Sequence, residues 1–500
     1  MKKTVIVFTI VSIFAKIIAF GRELVLSYFY GAGEISDVFL LSMTLPVTIF
    51  GFISVGVTSG YIPVYQKAKT EGGQDAALKF TNNVLNFLTG ICLIIIVVYF
   101  IVPKQLLGLF ASGFNGYTLE FARKFTNISI WAMVLTAIVT VLSGYLQVND
   151  QIKVTALISV PLNLGIISTI IIAVFVNSVY VLPVGFLISS VSQVLFLWFN
   201  SYRNGFKYSF LFDYSDKYLK SFLSSLTMLV FSGSLQQVNV LIDRTLATTV
   251  TVGGLSIFEY GNKINDFAMG VTIVPISTAI FPVMTTAKDD LVELKKTLEE
   301  GIRLSSLIII PVSVVLILFS DVIVTILYYR GEFKMDDVLL TAKIIKYYGI
   351  GLIAFSLREM FLKCFYAVGN VKSPLINSTI GMLCNIILNF VLLRIMGLGG
   401  LALATSISAV ISVILLYRSL KVSLKNICIR TTVLRCLVLF AFSGIACYGT
   451  LLLYKRLSFL MNAILIPFIL AMFCFGLLYL AATFLTKVVS KNDIISLLHR

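Results

Sequence analysis

The feature that most constrains this chain is its series of long apolar stretches, separated by short loops in which charged residues collect. Of the 500 residues, 58% are hydrophobic and only 12% are charged, whereas about a quarter of the residues in a soluble domain are charged. One compact soluble core cannot cover so much apolar surface. Because a helix needs roughly 20 apolar residues to cross a bilayer, the stretches predict an all-α polytopic membrane protein with about 14 transmembrane helices.

The basic residues are distributed as topology signals. The net charge of +16 would also suit a nucleic-acid ligand, but Lys and Arg fall in short loops between apolar stretches rather than on a polar domain. With the N-terminus inside, about 24 of them lie on the cytoplasmic side and about nine outside, as the positive-inside rule requires. The heaviest inside loops are 201–220, 285–303 and 418–435. The pattern predicts a multi-pass protein of a bacterial inner membrane, with both termini cytoplasmic and no nucleic-acid partner.

Residues that would support enzymatic chemistry are scarce. The single histidine, His499, is next to the C-terminus, and none of the seven cysteines forms a CxxC pair. The sequence contains neither a nucleophile elbow nor a Gly-rich phosphate loop. A scaffold protein would not need the charges found within the apolar stretches. The sequence therefore favours a transporter over an enzyme or a scaffold.

An internal repeat divides the chain. Residues 51–65 align without a gap with residues 270–284, so that Gly51 meets Gly270 and Pro63 meets Pro282 at an offset of 219. Each copy holds six predicted helices, which relates the copies by an axis along the membrane normal. The prediction is a six-helix lobe at 1–202, a second six-helix lobe at 220–420, and two extra transmembrane helices at 433–486.

Several charged residues lie inside the apolar stretches, where a charge is costly and usually faces a bundle interior or a wet cavity. Lys16 and Arg22 are in the first stretch and Lys263 is in the eighth, so each repeat contributes deep cations. A cavity lined by cations suits an anionic substrate, because ammonium and guanidinium groups donate charge-assisted hydrogen bonds to phosphate oxygens. Local pairing, such as that of Lys263 with Asp266, is the alternative explanation.

A second group of residues is rich in oxygen. Asn385 and Asn389 share one face of the eleventh stretch, Thr405 is in the twelfth, and Asp243 is in the seventh. One carboxylate and several neutral oxygens would suit a sodium ion. Hydrogen bonding between helices by Asn and Thr explains the same residues equally well. Apart from sodium, no cofactor is expected.

Four segments resemble one family of flippases. The chain from Phe14 to Pro46 (FAKIIAFGRELVLSYFYGAGEISDVFLLSMTLP) is similar to the first two helices of the lipid II flippase MurJ family. Residues 258–284, 327–333 and 356–374 resemble later parts of that family, and the two C-terminal stretches also fit it. Any one motif alone would indicate only the wider multidrug/oligosaccharidyl-lipid/polysaccharide exporter superfamily.

The resemblance implies a flippase that moves a polyprenyl-pyrophosphate-linked sugar precursor, lipid II, from the inner to the outer leaflet by alternating access. It implies two six-helix lobes around a cationic cavity, with the last two helices as a groove for the lipid tail. The partners would be this anionic lipid-linked glycan, membrane lipids and other cell-wall synthesis proteins. By the resemblance, the substrate-binding residues are Lys16, Arg22, Asp37 and Lys263. A sodium site would use Asp243, Asn385, Asn389, the Leu401 carbonyl and Thr405.

Some positions depart from the family's pattern. Lys16 and Lys263 stand where arginines are usual, which keeps the charge but loses the bidentate guanidinium. The segment 46–56 has no basic residue, and Asn389 stands where a carboxylate is expected. A flippase for another lipid-linked oligosaccharide therefore stays an alternative. A MATE-type antiporter is a weaker one, because it would need an acidic cavity and about 12 spans.

Overall fold

The computed structural model describes residues 2–423 and 430–486, and the described residues form helices joined by short turns and loops. They divide into two compact units. The first contains the described residues up to Ser256 together with Gly331–Phe333, and the second contains Ile257–Arg330 and the described residues from Lys334 onward. Nine helices lie within the first unit: α1 Lys2–Tyr30, α2 Glu34–Ile101, α3 Pro103–Phe110, α4 Gly116–Ser129, α5 Ala132–Val148, α6 Ile152–Ala156, α7 Ser159–Phe175, α8 Val181–Arg203 and α9 Lys217–Thr248.

The second unit holds most of α10, whose first residues belong to the first unit, and all the later described helices. These helices are α10 Gly254–Thr286, α11 Leu291–Leu318, α12 Ser320–Tyr328, α13 Met335–Ala367, α14 Lys372–Met396, α15 Leu398–Ser423, α16 Arg430–Met461 and α17 Leu465–Leu485.

The all-α membrane fold predicted from the apolar stretches is confirmed. Among the described residues, 10 helices are long and apolar enough to cross a membrane. An eleventh span results if Gly116–Ser129 and Ala132–Val148, which are bent by 43° relative to each other, are counted as one. The predicted number of about 14 and the lobe repeat stay predictions, in part because α2 merges two expected spans into 68 residues.

The long helix α2 folds back on itself at Gly73. This glycine has a φ of 77° and a ψ of −173°, a region that residues with a Cβ rarely adopt. The two arms then pack together: the hydroxyls of Tyr61 and Thr81 are 2.7 Å apart, and the Tyr61 ring stacks on Phe80. The turn brings residues 77–88 against the preceding arm of the same helix. The same residues form the surface that the segment between α8 and α9 contacts.

Small and hydroxylated residues allow the helices of the second unit to approach closely. The Ser313 hydroxyl donates to the Gly349 carbonyl at 2.6 Å, and the Ser406 hydroxyl donates to the Tyr347 carbonyl at 2.7 Å. Such contacts are typical of membrane helices, in which small residues let backbones meet and hydroxyls bond across the interface. They pack α13 against both α11 and α15.

The two last described helices pack against α11. The Tyr479 hydroxyl of α17 donates to the Leu307 carbonyl at 2.7 Å. Phe319 follows α11 directly and contacts Tyr454 of α16 and Phe468 of α17 edge-on. A buried tyrosine hydroxyl needs such a partner, and edge-to-face rings add a modest stabilisation. The C-terminal pair thus belongs to the second unit.

Candidate functional site

The predicted cations of α1 differ in their surroundings. Lys16 is half-buried, whereas Arg22 is mostly buried and is paired with its neighbour Glu23, whose side chain is fully buried. The Arg22 Nε and the Glu23 Oε2 atoms have no hydrogen-bond partner among the described residues. The Nε–H of Arg22 is available for a hydrogen bond to an anion, although the pair has no net charge. Removing either partner leaves a buried charge behind.

Lys16 and Arg22 do not share one face of α1. The helix continues from Lys2 to Tyr30, through Gly21. Residues that are six positions apart lie about 120° apart around such a helix. An anion that contacts both side chains would have to rely on the length and flexibility of the two basic side chains, because the helix has no break that would align them.

Asp37 lies at the start of α2 and is buried, with 2% of its surface exposed. Its Oδ1 atom accepts a hydrogen bond from the backbone N–H of Ser256 at 2.7 Å. Ser256 is in the first turn of α10, where backbone N–H groups lack partners within the helix and the helix dipole favours an anion. Asp37 also lines a cavity of about 190 Å³ together with Glu34 and Thr248–Val252. These contacts tie the start of α2 to the start of α10.

Lys263 of α10 belongs to the second unit and is half-buried. It forms no ion pair with a described residue, and in particular none with Asp266. The local pairing weighed as an alternative for this residue is therefore not what the structure has. A partly buried ammonium group with no carboxylate partner among the described residues can interact with an external anion.

The neutral part of the oxygen-rich group comes together in the second unit. Asn385 Nδ2 donates to Thr405 Oγ1 at 3.3 Å, Asn389 Nδ2 donates to Asn385 Oδ1 at 3.2 Å, and Thr405 Oγ1 donates to the Leu401 carbonyl at 3.0 Å. Both asparagines are buried. Three of the oxygens, Thr405 Oγ1, Asn385 Oδ1 and the Leu401 carbonyl, thus accept hydrogen bonds from neighbouring residues, and a cation would have to replace these bonds.

Asp243, the carboxylate predicted for the same sodium site, belongs to the first unit. It is buried, and the Asn239 amide, one turn before it on α9, lies 3.5 Å from its Oδ2 atom. No group of three or more His, Cys, Asp or Glu side chains with metal-binding geometry occurs in the described part of the chain. A cation here would depend largely on neutral oxygens, which suits a monovalent ion better than a transition metal.

Sequence reasoning left some polar residues out of the predicted site. Arg244 of α9 contacts α2 through its Nη1 atom, 3.3 Å from the Thr48 hydroxyl. Asn82, Asn83 and Asn86 are buried on α2 and bind the backbone of the loop after α8. The spacing TNNVLN at 81–86 places these three amides on neighbouring faces of a helix, which is the signal that could have indicated them.

Comparison with known proteins decides the family. The family model described as lipid II flippase MurJ matches residues 26–489. This chain belongs to the lipid II flippase MurJ family. The family predicted from the sequence is thereby confirmed, and membership in a flippase family makes the protein a transporter rather than an enzyme.

Individual relatives agree with this assignment. The chain is 26% identical over 407 residues to the probable lipid II flippase MurJ of Borreliella burgdorferi, which covers 81% of this chain and 80% of that protein. The solved structure of a lipid II flippase MurJ in an inward closed conformation has a TM-score of 0.79 at 22% identity, covering 96% of this chain and 98% of that one. An inward-facing MATE transporter of the MOP superfamily has a TM-score of 0.69 at 16% identity, covering 85% and 98%. At these identities the two structures show the fold alone.

Proposed function

We propose that this protein flips lipid II from the inner to the outer leaflet of the bacterial inner membrane. The observation that carries the proposal is the match to the lipid II flippase MurJ family from residue 26 to residue 489. Deep basic side chains in α1 and α10 support it, because the pyrophosphate of a lipid-linked sugar is anionic and charge-assisted hydrogen bonds to phosphate are strong.

The function is tested by complementation in cells, in which this protein replaces the cell's own lipid II flippase. Cells depleted of their own lipid II flippase and supplied with this protein should carry lipid II that an externally added lipid II-cleaving enzyme can reach. The same cells without the protein should accumulate lipid II in a protected form. If another polyprenyl-linked glycan becomes accessible while lipid II stays protected, the protein serves a different lipid-linked oligosaccharide.

The organisation we propose has two six-helix lobes, at 1–202 and 220–420, two further helices at 433–486 and both termini in the cytoplasm. The internal repeat and the excess of Lys and Arg in loop 201–220 support it. A cysteine placed at Ser215, which is exposed, should react with a membrane-impermeant reagent only after the cells are opened. Labelling in intact cells would overturn the fourteen-span topology.

We further propose that Lys16, Arg22 and Lys263 bind the pyrophosphate and that Asp37 assists by holding the start of α10. Lys263→Ala is the cleanest test, because Lys263 has no ion pair with a described residue that its loss would disturb. One charge-assisted hydrogen bond is worth about 1.5–3 kcal/mol, so substrate affinity should fall about ten- to hundredfold. Membrane insertion should be unchanged, and Lys263→Arg should retain most of the activity because the charge is kept.

Arg22 needs a different design because of its pairing with Glu23. Arg22→Ala alone leaves the buried Glu23 carboxylate without its partner, which costs about 3–5 kcal/mol in other proteins. The double variant Arg22→Ala, Glu23→Gln removes both charges together and should restore the protein level in the membrane but not flipping. If the double variant flips lipid II normally, Arg22 has only a structural role.

The sodium site stays a separate proposal, with Asp243, Asn385, Asn389, Thr405 and the Leu401 carbonyl as ligands. Sodium should raise the thermal unfolding temperature of the wild-type protein, relative to potassium at equal ionic strength, and Asp243→Asn should remove the difference. Equal unfolding temperatures of the wild-type protein in the two salts would leave the asparagines as an interhelical hydrogen-bond group.

A further inference from the structure

The connection between α8 and α9 carries an unusual surface. From Phe206 to Tyr214 every second residue is aromatic, and the backbone of residues 206–213 is non-helical. Phe206 is buried, but the following four, Tyr208, Phe210, Phe212 and Tyr214, are 45%, 83%, 59% and 62% exposed. We call residues 206–214 the aromatic segment. Single exposed aromatic residues are ordinary, but four within seven residues indicate a surface that contacts something apolar.

Buried amides hold the backbone of the aromatic segment. Asn82 Nδ2 donates to the Lys207 carbonyl at 2.9 Å, and Asn86 Nδ2 donates to the Leu211 carbonyl at 2.8 Å. Asn83 binds both backbone groups of Asp213: its Nδ2 atom donates to the carbonyl at 2.7 Å and its Oδ1 atom accepts from the N–H at 3.0 Å. An irregular segment has to find partners for its backbone groups, and here three side chains of α2 supply them.

Because Lys207, Leu211 and Asp213 bind α2 through their backbone, the segment is held in one conformation. The rings of Phe210, Phe212 and Tyr214 are thereby left exposed, next to Tyr208, whose hydroxyl donates to Asn86 Oδ1 at 2.9 Å. Most of the ordering entropy of such a surface is lost during folding, so that little remains to be lost on binding. The exposure of these side chains is therefore a consequence of the fold and not of an unrestrained loop.

The aromatic surface continues from a helix that is apolar enough to span the membrane. Phe199 and Tyr202, in the last two turns of α8, are exposed. Trp198 of the same helix contacts both Phe206 and Tyr208, with ring centroids 5.7 and 5.6 Å apart. Tryptophan and tyrosine collect at the interface between the hydrocarbon and the headgroups, which is the depth expected for a segment that packs against Trp198.

Exposed cations surround this surface. Arg203, Lys207 and Lys220 are exposed and form no ion pair with a described residue. Two nearby acidic residues are paired with other cations, Asp213 with Lys79 at 3.0 Å and Glu71 with Lys217 at 3.0 Å. A third, Asp216, caps α9 by accepting from the backbone N–H of Tyr218 at 2.9 Å. The charge left over is positive, as it is in segments that bind the anionic cytoplasmic leaflet.

We propose that the aromatic segment is a membrane anchor for a leaflet rich in anionic phospholipid. Tyr208, Phe210, Phe212 and Tyr214 enter the headgroup region, and Arg203, Lys207 and Lys220 contact lipid phosphates. The anchor fixes the depth of the connection between α8 and α9 and requires neither lipid II nor its transport. The occupant to which the proposal commits is the bilayer surface, because the aromatic side chains continue those of a spanning helix and the charges complement phosphate.

The depth of the segment tests the proposal directly. The full-length protein, carrying a fluorophore on a cysteine at Phe210 or, as a control, at Ser215, is reconstituted in vesicles of phosphatidylethanolamine and phosphatidylglycerol. Brominated acyl chains should quench the label at 210 several-fold more than the label at 215, and aqueous iodide should show the reverse order. Equal access of iodide to both positions would overturn the anchor and leave a soluble partner as the ligand of the surface.

A second measurement separates anchoring from folding. Phe210→Asp removes one exposed ring, and Ser215→Asp adds the same charge at an exposed position outside the segment. Both variants should unfold in detergent at the wild-type temperature. Phosphatidylglycerol vesicles should raise the unfolding temperature of the wild-type protein and of Ser215→Asp, whereas Phe210→Asp should lose most of that rise. An equal rise in all three proteins would contradict the proposal.

Discussion

The start of α2 and its second arm hold their neighbours in different ways. Near Glu34 the contacts are buried and close: Asp37 accepts from the N–H of Ser256, and glycines lie directly against the backbone of other helices. Beyond the turn at Gly73, neutral amides and exposed ion pairs hold the loop after α8. The first kind of contact tolerates almost no change in shape. In the second kind, the asparagines are buried, and only the exposed ion pairs can exchange with water.

The close contacts also share a pattern in the sequence. Ser256 follows Asp37 by 219 residues, which is the offset of the predicted repeat. Gly113 lies against Thr248, and Gly331 lies against Tyr28, so that each of these two loops contacts the end of a helix that is distant in sequence. If the repeat holds, Asp37 and Ser256 occupy equivalent positions and the two glycine contacts are counterparts. The comparison shows that this end of the first unit is closely packed, with glycines against neighbouring backbone.

The largest effect is expected from Gly331→Ala. A Cβ atom at this position would lie 2.0 Å from the Tyr28 carbonyl oxygen, and the φ of Gly331 is +62°. We expect a loss of stability of about 3 kcal/mol, measured as a fall in the thermal unfolding temperature. Gly116→Ala is the matched control, because its φ is +50° but nothing lies within 4 Å of its Cβ position. Equal losses in both variants would show that the backbone angle alone is responsible.

The next effect is expected from Asp37→Ala, which leaves the Ser256 N–H without its acceptor. A buried donor without a partner costs about 1–3 kcal/mol. Asp37→Asn keeps an acceptor oxygen and should lose less. Hydrogen exchange of the Ser256 amide should accelerate in Asp37→Ala in proportion to the loss of stability. Unchanged exchange together with lost flipping would instead favour direct contact of Asp37 with the substrate.

A smaller, local effect is expected from Asn83→Ala. The variant loses both hydrogen bonds to the backbone of Asp213, each worth about 1 kcal/mol in folded proteins. Because the other two asparagines remain, the unfolding temperature should fall little. Hydrogen exchange of residues 206–214 should accelerate, while that of residues 77–88 should not. Uniform acceleration across the first unit would mean that the amides support the whole unit.

The smallest effect is expected from the ion pair of Lys79 and Asp213. The hydrogen bond from Lys79 holds the pKa of the Asp213 carboxyl below its usual value. A lowered pKa contributes stability above the unfolded pKa of about 3.9, and that stability is lost as the pH falls through the folded pKa. Lys79→Ala should therefore narrow the difference in unfolding temperature between neutral and acidic pH. Because the pair is exposed, 1 M salt should mask the change.

The local partners of the site could be predicted only in part. The deep cations could be predicted because these charges interrupt apolar stretches. The sequence also shows that Arg22 and Glu23 are adjacent. Their ion pair was not predicted, because neighbouring residues point about 100° apart on a helix. The contact between Asn385 and Thr405 likewise depends on how α14 packs against α15. The spacing of residues within either helix does not reveal how the two helices pack.

By itself, the amino-acid sequence determined that this is a helical membrane protein and which family it resembles. Both follow from local properties of the sequence. The length of an apolar stretch decides whether it can cross a bilayer, and a family motif can be recognised from consecutive residues. The tertiary structure alone decided that Asp37 binds the start of α10 and that three asparagines of α2 hold the aromatic segment. These contacts join residues more than 120 positions apart. They exist because buried backbone groups need partners, and only packing determines which side chain is near enough to be one.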